Sequence, residues 1–204
     1  TYVPDDNFEQ ALIDLGYDNA LDDYVETVNI SKLTSLDISS QNISDLTGIE
    51  DFADLITLDC HNNKLTRIHI TNAALDTLAC GENKLTSLDV SGARSLIYLY
   101  CSLNQLTKLD VSNNRKLTHL YAIDNKLTSL DVSQNTDLTH ISIWRNQLTS
   151  IDLSNNTDLT VLYCGDNKFT SLDVSKNTNL EILHCSYNQL TSLDVSQNTA
   201  LIRF

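Results

Sequence analysis

Leu75, Leu96, Leu117, Leu138, Leu159, Leu180 and Leu201 stand 21 residues apart, and each opens nearly the same phrase. One earlier interval, from Leu55 to Leu75, is 20 residues. A strict period of this length constrains the fold more than any composition does. A unit of that size is one supersecondary element that cannot bury its apolar side alone, so it stacks on copies of itself as a solenoid.

The unit is seen most plainly from Leu138 to Asp158, LTHISIWRNQLTSIDLSNNTD. With its positions numbered 1 to 21, apolar residues fall at 1, 4 and 6 with Asn at 9, and again at 11, 14 and 16 with Asn at 19. Within each half, the alternation at the middle positions is the period-2 signal of a short strand with one buried face. The expectation is therefore two short strands per coil, stacked into two parallel sheets. Eight coils at about 4.8 Å each would make a rod about 40 Å long.

These residues, LxxLxCxxN followed by LTSLDVSxN, resemble the leucine-rich repeat family, specifically the bacterial 21-residue class of nested repeats. The resemblance runs from Leu33 to Phe204, and the ISDLTGI segment of the first, 22-residue coil resembles the internalin type. It implies a β-rich α+β fold: a right-handed solenoid with two short parallel strands per coil and an N-terminal helical cap. It also implies a bacterial recognition protein, secreted or held at the cell surface, without enzymatic activity and without a cofactor.

Ahead of the repeats, Pro4, Asp5 and Asp6 open a helix on which Phe8, Leu12 and Leu15 are spaced for one apolar face, and Gly16 ends it. A solenoid end exposes apolar side chains, so residues 1–32 are expected to be a cap and residues 33–204 the solenoid, forming one continuous domain. The sequence stops four residues into a further unit, which leads to the expectation of a longer polypeptide. No apolar run approaches the length of a membrane span, and no signal peptide is recognisable at Thr1.

The net charge of −14 is uneven. Residues 1–54 hold 13 acids and one base, whereas residues 55–204 hold 14 acids and 12 bases. An acidic cap on a nearly neutral solenoid argues against nucleic acid or an anionic membrane as partner. The five cysteines, Cys60, Cys80, Cys101, Cys164 and Cys185, all take position 6, which Ala122 and Ile143 share. A position shared with Ala and Ile faces inward, so these read as a ladder of buried thiols rather than disulfides, zinc ligands or nucleophiles.

Comparison between coils separates scaffold from function. The second-half strand is almost constant, reading Thr-Ser-Leu-Asp-Val-Ser, with Asp89, Asp110, Asp131, Asp152, Asp173 and Asp194 at position 15. Solvated acids beside hydroxyls are the expected reading, with a cation ladder as the competing one. The first-half strand varies at its outward positions 3, 5, 7 and 8 and gathers there five of eight tyrosines, the only tryptophan and four of five histidines. General β-propensity would place Tyr and Trp equally on the second strand, which instead carries Thr, Ser and Asp, with His69 at position 15 of the earliest coil. The candidate ligand-binding residues are therefore Tyr98, Tyr100, His119, Tyr121, His140, Trp144, Arg145, Tyr163, His184 and Tyr187.

No nucleophile elbow, Gly-rich phosphate loop or HExxH spacing occurs, so no catalytic residue is assigned. His119 and His140, even with Tyr98 or Tyr121, lack the third carboxylate or thiol that a metal site needs, and Asp18, Asp22 and Asp23 do not match a calcium loop. The reading is a non-catalytic extracellular module that binds a protein or a glycan through its aromatic face. The competing reading is a structural spacer or adhesin stalk within a larger surface protein.

Overall fold

The computed structural model describes residues 1–204. Helix α1 (Asp6–Asp14) begins as expected, because Asp5 at its N-cap accepts hydrogen bonds from the backbone N–H groups of Asn7 and Phe8, both at 3.0 Å. Gly16, at φ +82°, closes it, with Tyr17 N donating to Leu12 O and Gly16 N to Ile13 O. Phe8, Ala11 and Leu12 form the buried face. Leu15 lies beyond the last helical turn and is half-exposed, so Ala11 takes the place expected for it.

A short helix α2 (Thr27–Ile30) leads into ten three-residue strands. In chain order they are β1 (Ser35–Asp37), β2 (Thr57–Asp59), β3 (Arg67–His69), β4 (Thr77–Ala79) and β5 (Ser87–Asp89), followed by β6 (Tyr98–Tyr100), β7 (His119–Tyr121), β8 (His140–Ser142), β9 (Val161–Tyr163) and β10 (Ile182–His184). Eight of them form one all-parallel sheet in the order β1-β2-β4-β6-β7-β8-β9-β10. The register is the repeat itself: Leu36, Leu58, Leu78, Leu99, Leu120, Ile141, Leu162 and Leu183 pair in a single row. From the first strand to the last the sheet is about 34 Å long at the usual strand spacing.

The second half of each coil keeps its burial but loses its pairing. β3 pairs with β5, one bridge joins Asp89 to Asp110, and no ladder continues beyond. Two strands per coil are thus formed only in the coils that begin at Leu55 and Leu75. Across the β3–β5 pair His69 Nδ1 lies 2.8 Å from Asp89 Oδ2. Asp110, Asp131, Asp152, Asp173 and Asp194 each accept the N–H of the serine two residues on at 2.9 Å, as Asp37 and Asp89 do at 3.0 Å within paired strands. Hydrogen bonding from that serine, through its N–H and its hydroxyl and for Asp152 chiefly its hydroxyl, holds these carboxyls below the usual carboxylate range.

One continuous core runs the length of the stack, built from the inward columns at positions 1, 4, 6, 11, 14 and 16. Cys60, Cys80, Cys101 and Cys164 are fully buried in it and all five cysteines are free thiols, Cys185 being half-buried. Burial pushes the Cys101 thiol up to about 12 and raises the others too.

Turns between half-coils are closed by asparagines. Asn146 is typical of position 9: Leu127 N of the preceding coil donates to its Oδ1 at 3.0 Å, while its Nδ2 donates to Ala122 O and Ile143 O at 2.9 and 3.1 Å. At position 19, Asn135, Asn156, Asn177 and Asn198 each donate to the backbone carbonyl of the asparagine one coil earlier, all at 2.8 Å. The position-9 ladder satisfies both carbonyls and N–H groups that no strand reaches, and the position-19 ladder carbonyls alone, its Oδ1 atoms accepting no hydrogen bond.

Candidate functional site

Every outward side chain of the eight-stranded sheet stands in a column above its counterpart in the next coil, because the strands pair in register. Position 3 gives the first column. Tyr98 packs on His119 with ring centroids 4.8 Å apart, and His119 stacks on His140 at 4.2 Å with an interplanar angle of 12°. Both imidazoles are fixed from one side. Thr118 Oγ1 lies 2.7 Å from Nδ1 of His119 and 3.3 Å from Ile97 O, and Thr139 Oγ1 2.9 Å from Nδ1 of His140 and 3.2 Å from Thr118 O, so each ring is hydrogen-bonded to the threonine before it. Burial lowers the pKa of His119, and the adjacent His140 lowers it further; burial lowers that of His140 against the opposing pull of Glu181.

Position 5 gives the second column, Tyr100, Tyr121, Ser142, Tyr163 and His184. Tyr100 and Tyr121 stack at 4.9 Å with planes 5° apart, and Tyr163 and His184 at 5.0 Å with planes 8° apart. Ser142 divides the two stacks. Over it opens a hollow of about 500 Å³, walled by Tyr121, Tyr163, Trp144 and Ile123, with Asp124 and Arg145 at its mouth. Trp144 reaches across Gly165, where an added Cβ would lie 3.4 Å from its ring, and comes within 6.5 Å of the His184 ring.

Position 8 forms the rim. Its residues, from Asn62 through Glu82, Leu103, Asp124, Arg145 and Asp166 to Tyr187, all have positive φ, between 51° and 57°. Arg145 lies between two acids of this column, with Nη1 3.5 Å from Asp124 Oδ2 and Nε 3.6 Å from Asp166 Oδ2. Such long, exposed pairs orient the guanidinium loosely.

Of the ten residues singled out from the sequence, nine lie in these adjoining columns or against them. Tyr187 stands apart, 80% exposed on the rim, with no ring stacked on it. Sequence reasoning missed Ser142, Ile123, Asp124 and Asp166. Ser142 had a legible signal, as the one small residue between rings in its column.

Elsewhere a second hollow, about 640 Å³, lies beside β3 and β5 and is lined largely by polar groups including Asp45, Glu50, Arg67 and His69. No group of three or more His, Cys, Asp or Glu side chains is placed to hold a metal ion. In the cap, Asp22 accepts from Tyr24 N at 3.1 Å, and the fully buried Glu9 accepts from Asp22 N and Tyr24 N at 3.0 and 2.9 Å. No helix is long and apolar enough to cross a membrane.

A family model described as leucine-rich repeats, two copies, matches residues 157–198. Among solved structures, the chain is similar to the functional domain of InlJ from Listeria monocytogenes, described as including a cysteine ladder. That likeness has 37% identity and a TM-score of 0.74, and covers 98% of this chain and 49% of the other. It is similar to the leucine-rich effector YopM from Yersinia pestis at 27% identity and a TM-score of 0.75, over 83% of this chain and 48% of that one. Internalin C2 from Listeria monocytogenes shares the fold, with a TM-score of 0.81 at 22% identity over 100% of this chain and 94% of that one. The chain thus spans about half the length of the InlJ and YopM structures. No curated protein matches it.

Proposed function

We propose, from the premise that this chain is a leucine-rich repeat protein of the bacterial 21-residue class, that it is a non-catalytic recognition module binding a protein partner on its aromatic sheet face. One observation carries the reading. Rings fill two adjoining columns over consecutive coils of the eight-stranded sheet, while the second-half segments present Ser, Thr and Asp to solvent. Rigid, half-exposed aromatics with polar tips supply large contact area at little entropic cost, which is why they dominate binding hot spots. Likeness to the InlJ domain and to internalin C2 supports a place of work at or outside the bacterial surface. Fractionation of the source cells tests that placement.

A glycan would use the same rings, and a stalk would use none of them. Protein and glycan arrays probed with the chain and with a Tyr100→Ala/His119→Ala variant separate the three. The expected outcome is a protein ligand whose affinity falls by tenfold or more in the variant, on the order of a hot-spot loss. Asp131→Ala/Asp152→Ala, on the opposite side of the coils, leaves it unchanged. A ligand lost only with the aspartates overturns the assignment, a glycan ligand replaces the partner class, and no ligand on either array favours the spacer.

A further inference from the structure

We infer that the hollow over Ser142 is a subsite for one aromatic side chain carried on a basic segment of a protein partner. The inference rests on the sheet being a protein-binding face, and it names the chemistry that face takes at its centre.

Spacing decides the shape of the guest. Tyr121, Ser142 and Tyr163 are in register on β7, β8 and β9, so the two tyrosines are two strand spacings apart, roughly 9.6 Å. Rings in this column stack at 4.9 and 5.0 Å. A single ring entering above Ser142 therefore finds the same separation on both of its faces, within the range that aromatic pairs prefer. It completes a stack of five: Tyr100, Tyr121, guest, Tyr163, His184. A branched aliphatic side chain fits the width but leaves both π-faces without a flat partner.

The walls stand ready without a guest. Tyr121 and Tyr163 are each held by the ring beyond them, Trp144 has room to lie flat because residue 165 is glycine, and Ser142 closes the floor at 4% exposure. Preorganised walls reduce the ordering cost of binding.

Charge decides the flanks. Asp124 and Arg145 line the hollow, and Asp166, 3.6 Å from Arg145 Nε, leaves this trio with one net negative charge beside it. Both carboxylates are held by Arg145 only at long distance and keep free oxygens for an incoming Lys or Arg.

Trp144 is the only tryptophan, so its fluorescence reports on the hollow directly. The test titrates the full chain with a blocked pentapeptide, Lys-Gly-Tyr-Gly-Lys, with the same peptide carrying Leu at its centre, with one carrying Glu at both ends, and with methyl glucoside. The tyrosine peptide is expected to bind, and the leucine and glutamate peptides to bind about tenfold more weakly. Ser142→Tyr fills the rung and abolishes the response, whereas Ser142→Ala retains it. Should Ser142→Tyr fail to fold, Tyr163→Leu removes one wall and weakens the peptide about tenfold. Equal binding of the tyrosine and leucine peptides, binding of the glucoside alone, or an unchanged response in Ser142→Tyr overturns the subsite. A protein ligand from the array that ignores Ser142→Tyr but loses affinity in Tyr100→Ala/His119→Ala removes the subsite and keeps the face. One that ignores both removes the face.

Discussion

At the scale of single residues, the turn after each first-half strand makes one demand, a left-handed backbone at position 8. Asparagine and aspartate meet it readily, as at Asn62, Asp124 and Asp166. Leu103, at φ 57° and half-exposed, meets it against its own preference. A non-glycine residue other than Asn or Asp sits there at a penalty on the order of 1–2 kcal/mol. Leu103→Asn is therefore expected to raise stability by about 1 kcal/mol in a urea melt. An unchanged midpoint would show that Leu103 gains enough from its contacts to offset the strain.

At the scale of the element, the columns carry the energetics. Asn146 is 8% exposed and joins three stretches of backbone, so Asn146→Ala strands the N–H of Leu127 and leaves Ala122 O only a 3.4 Å bond from Asn125, while Ile143 O keeps its donor Asn167. The loss should be about 1–3 kcal/mol by denaturant titration, with Asn125→Ala and Asn167→Ala alike. Parent-like melts for all three would mean that water replaces the amide freely. The imidazole pair gives the element a pH dependence. His119 and His140 both titrate below the ordinary value of 6.5 in the fold, so the fold prefers them neutral. That contribution is complete above the unfolded value and is lost as pH falls from about 6.5 through the lower folded values. The melting temperature should thus fall on acidification through this window, before the carboxylates titrate. His140→Phe, which keeps a ring in the stack and removes its charge, should flatten the slope; an unchanged slope would assign it to other groups.

At the scale of the whole molecule, a solenoid is a chain of neighbours whose ends need closing. The near end is tied by one carboxylate. Asp5 Oδ1 caps α1, and its Oδ2 accepts from Ser44 N, Ser44 Oγ and Asp45 N at 2.8, 2.6 and 3.0 Å. Burial alone would raise its pKa, but the bonds from Ser44, Phe8 and Asp45 outweigh that and hold the carboxyl below its usual range. Phe8 adds a ring stacked on Phe52 at 6.2 Å. Asp5→Ala strands several N–H donors at once and should lower stability by about 1–3 kcal/mol. Because contacts in a solenoid are local, hydrogen exchange should quicken first in β1 and β2 and leave β8 to β10 protected. Uniform loss of protection would mean that the stack unfolds as one unit.

The sequence by itself determined the coil, its register and its inward columns, because a fixed period turns every position into a row and makes each residue's neighbour a copy of itself. The cysteine row, the asparagine ladders and the capping role of the acids before α1 were legible for that reason, as was the gathering of rings on one strand. Tertiary structure alone decided what depends on unlike residues meeting. The second-half ladder closes between β3 and β5, where His69 meets Asp89, and does not continue past the bridge to Asp110, although the repeat pattern there is unchanged. The hollow over Ser142 likewise exists only because two stacked pairs flank a small residue while Trp144 lies across a glycine one coil away. Periodicity fixes which side chains are neighbours, and the directions in which those side chains lie are fixed only when the coils are packed.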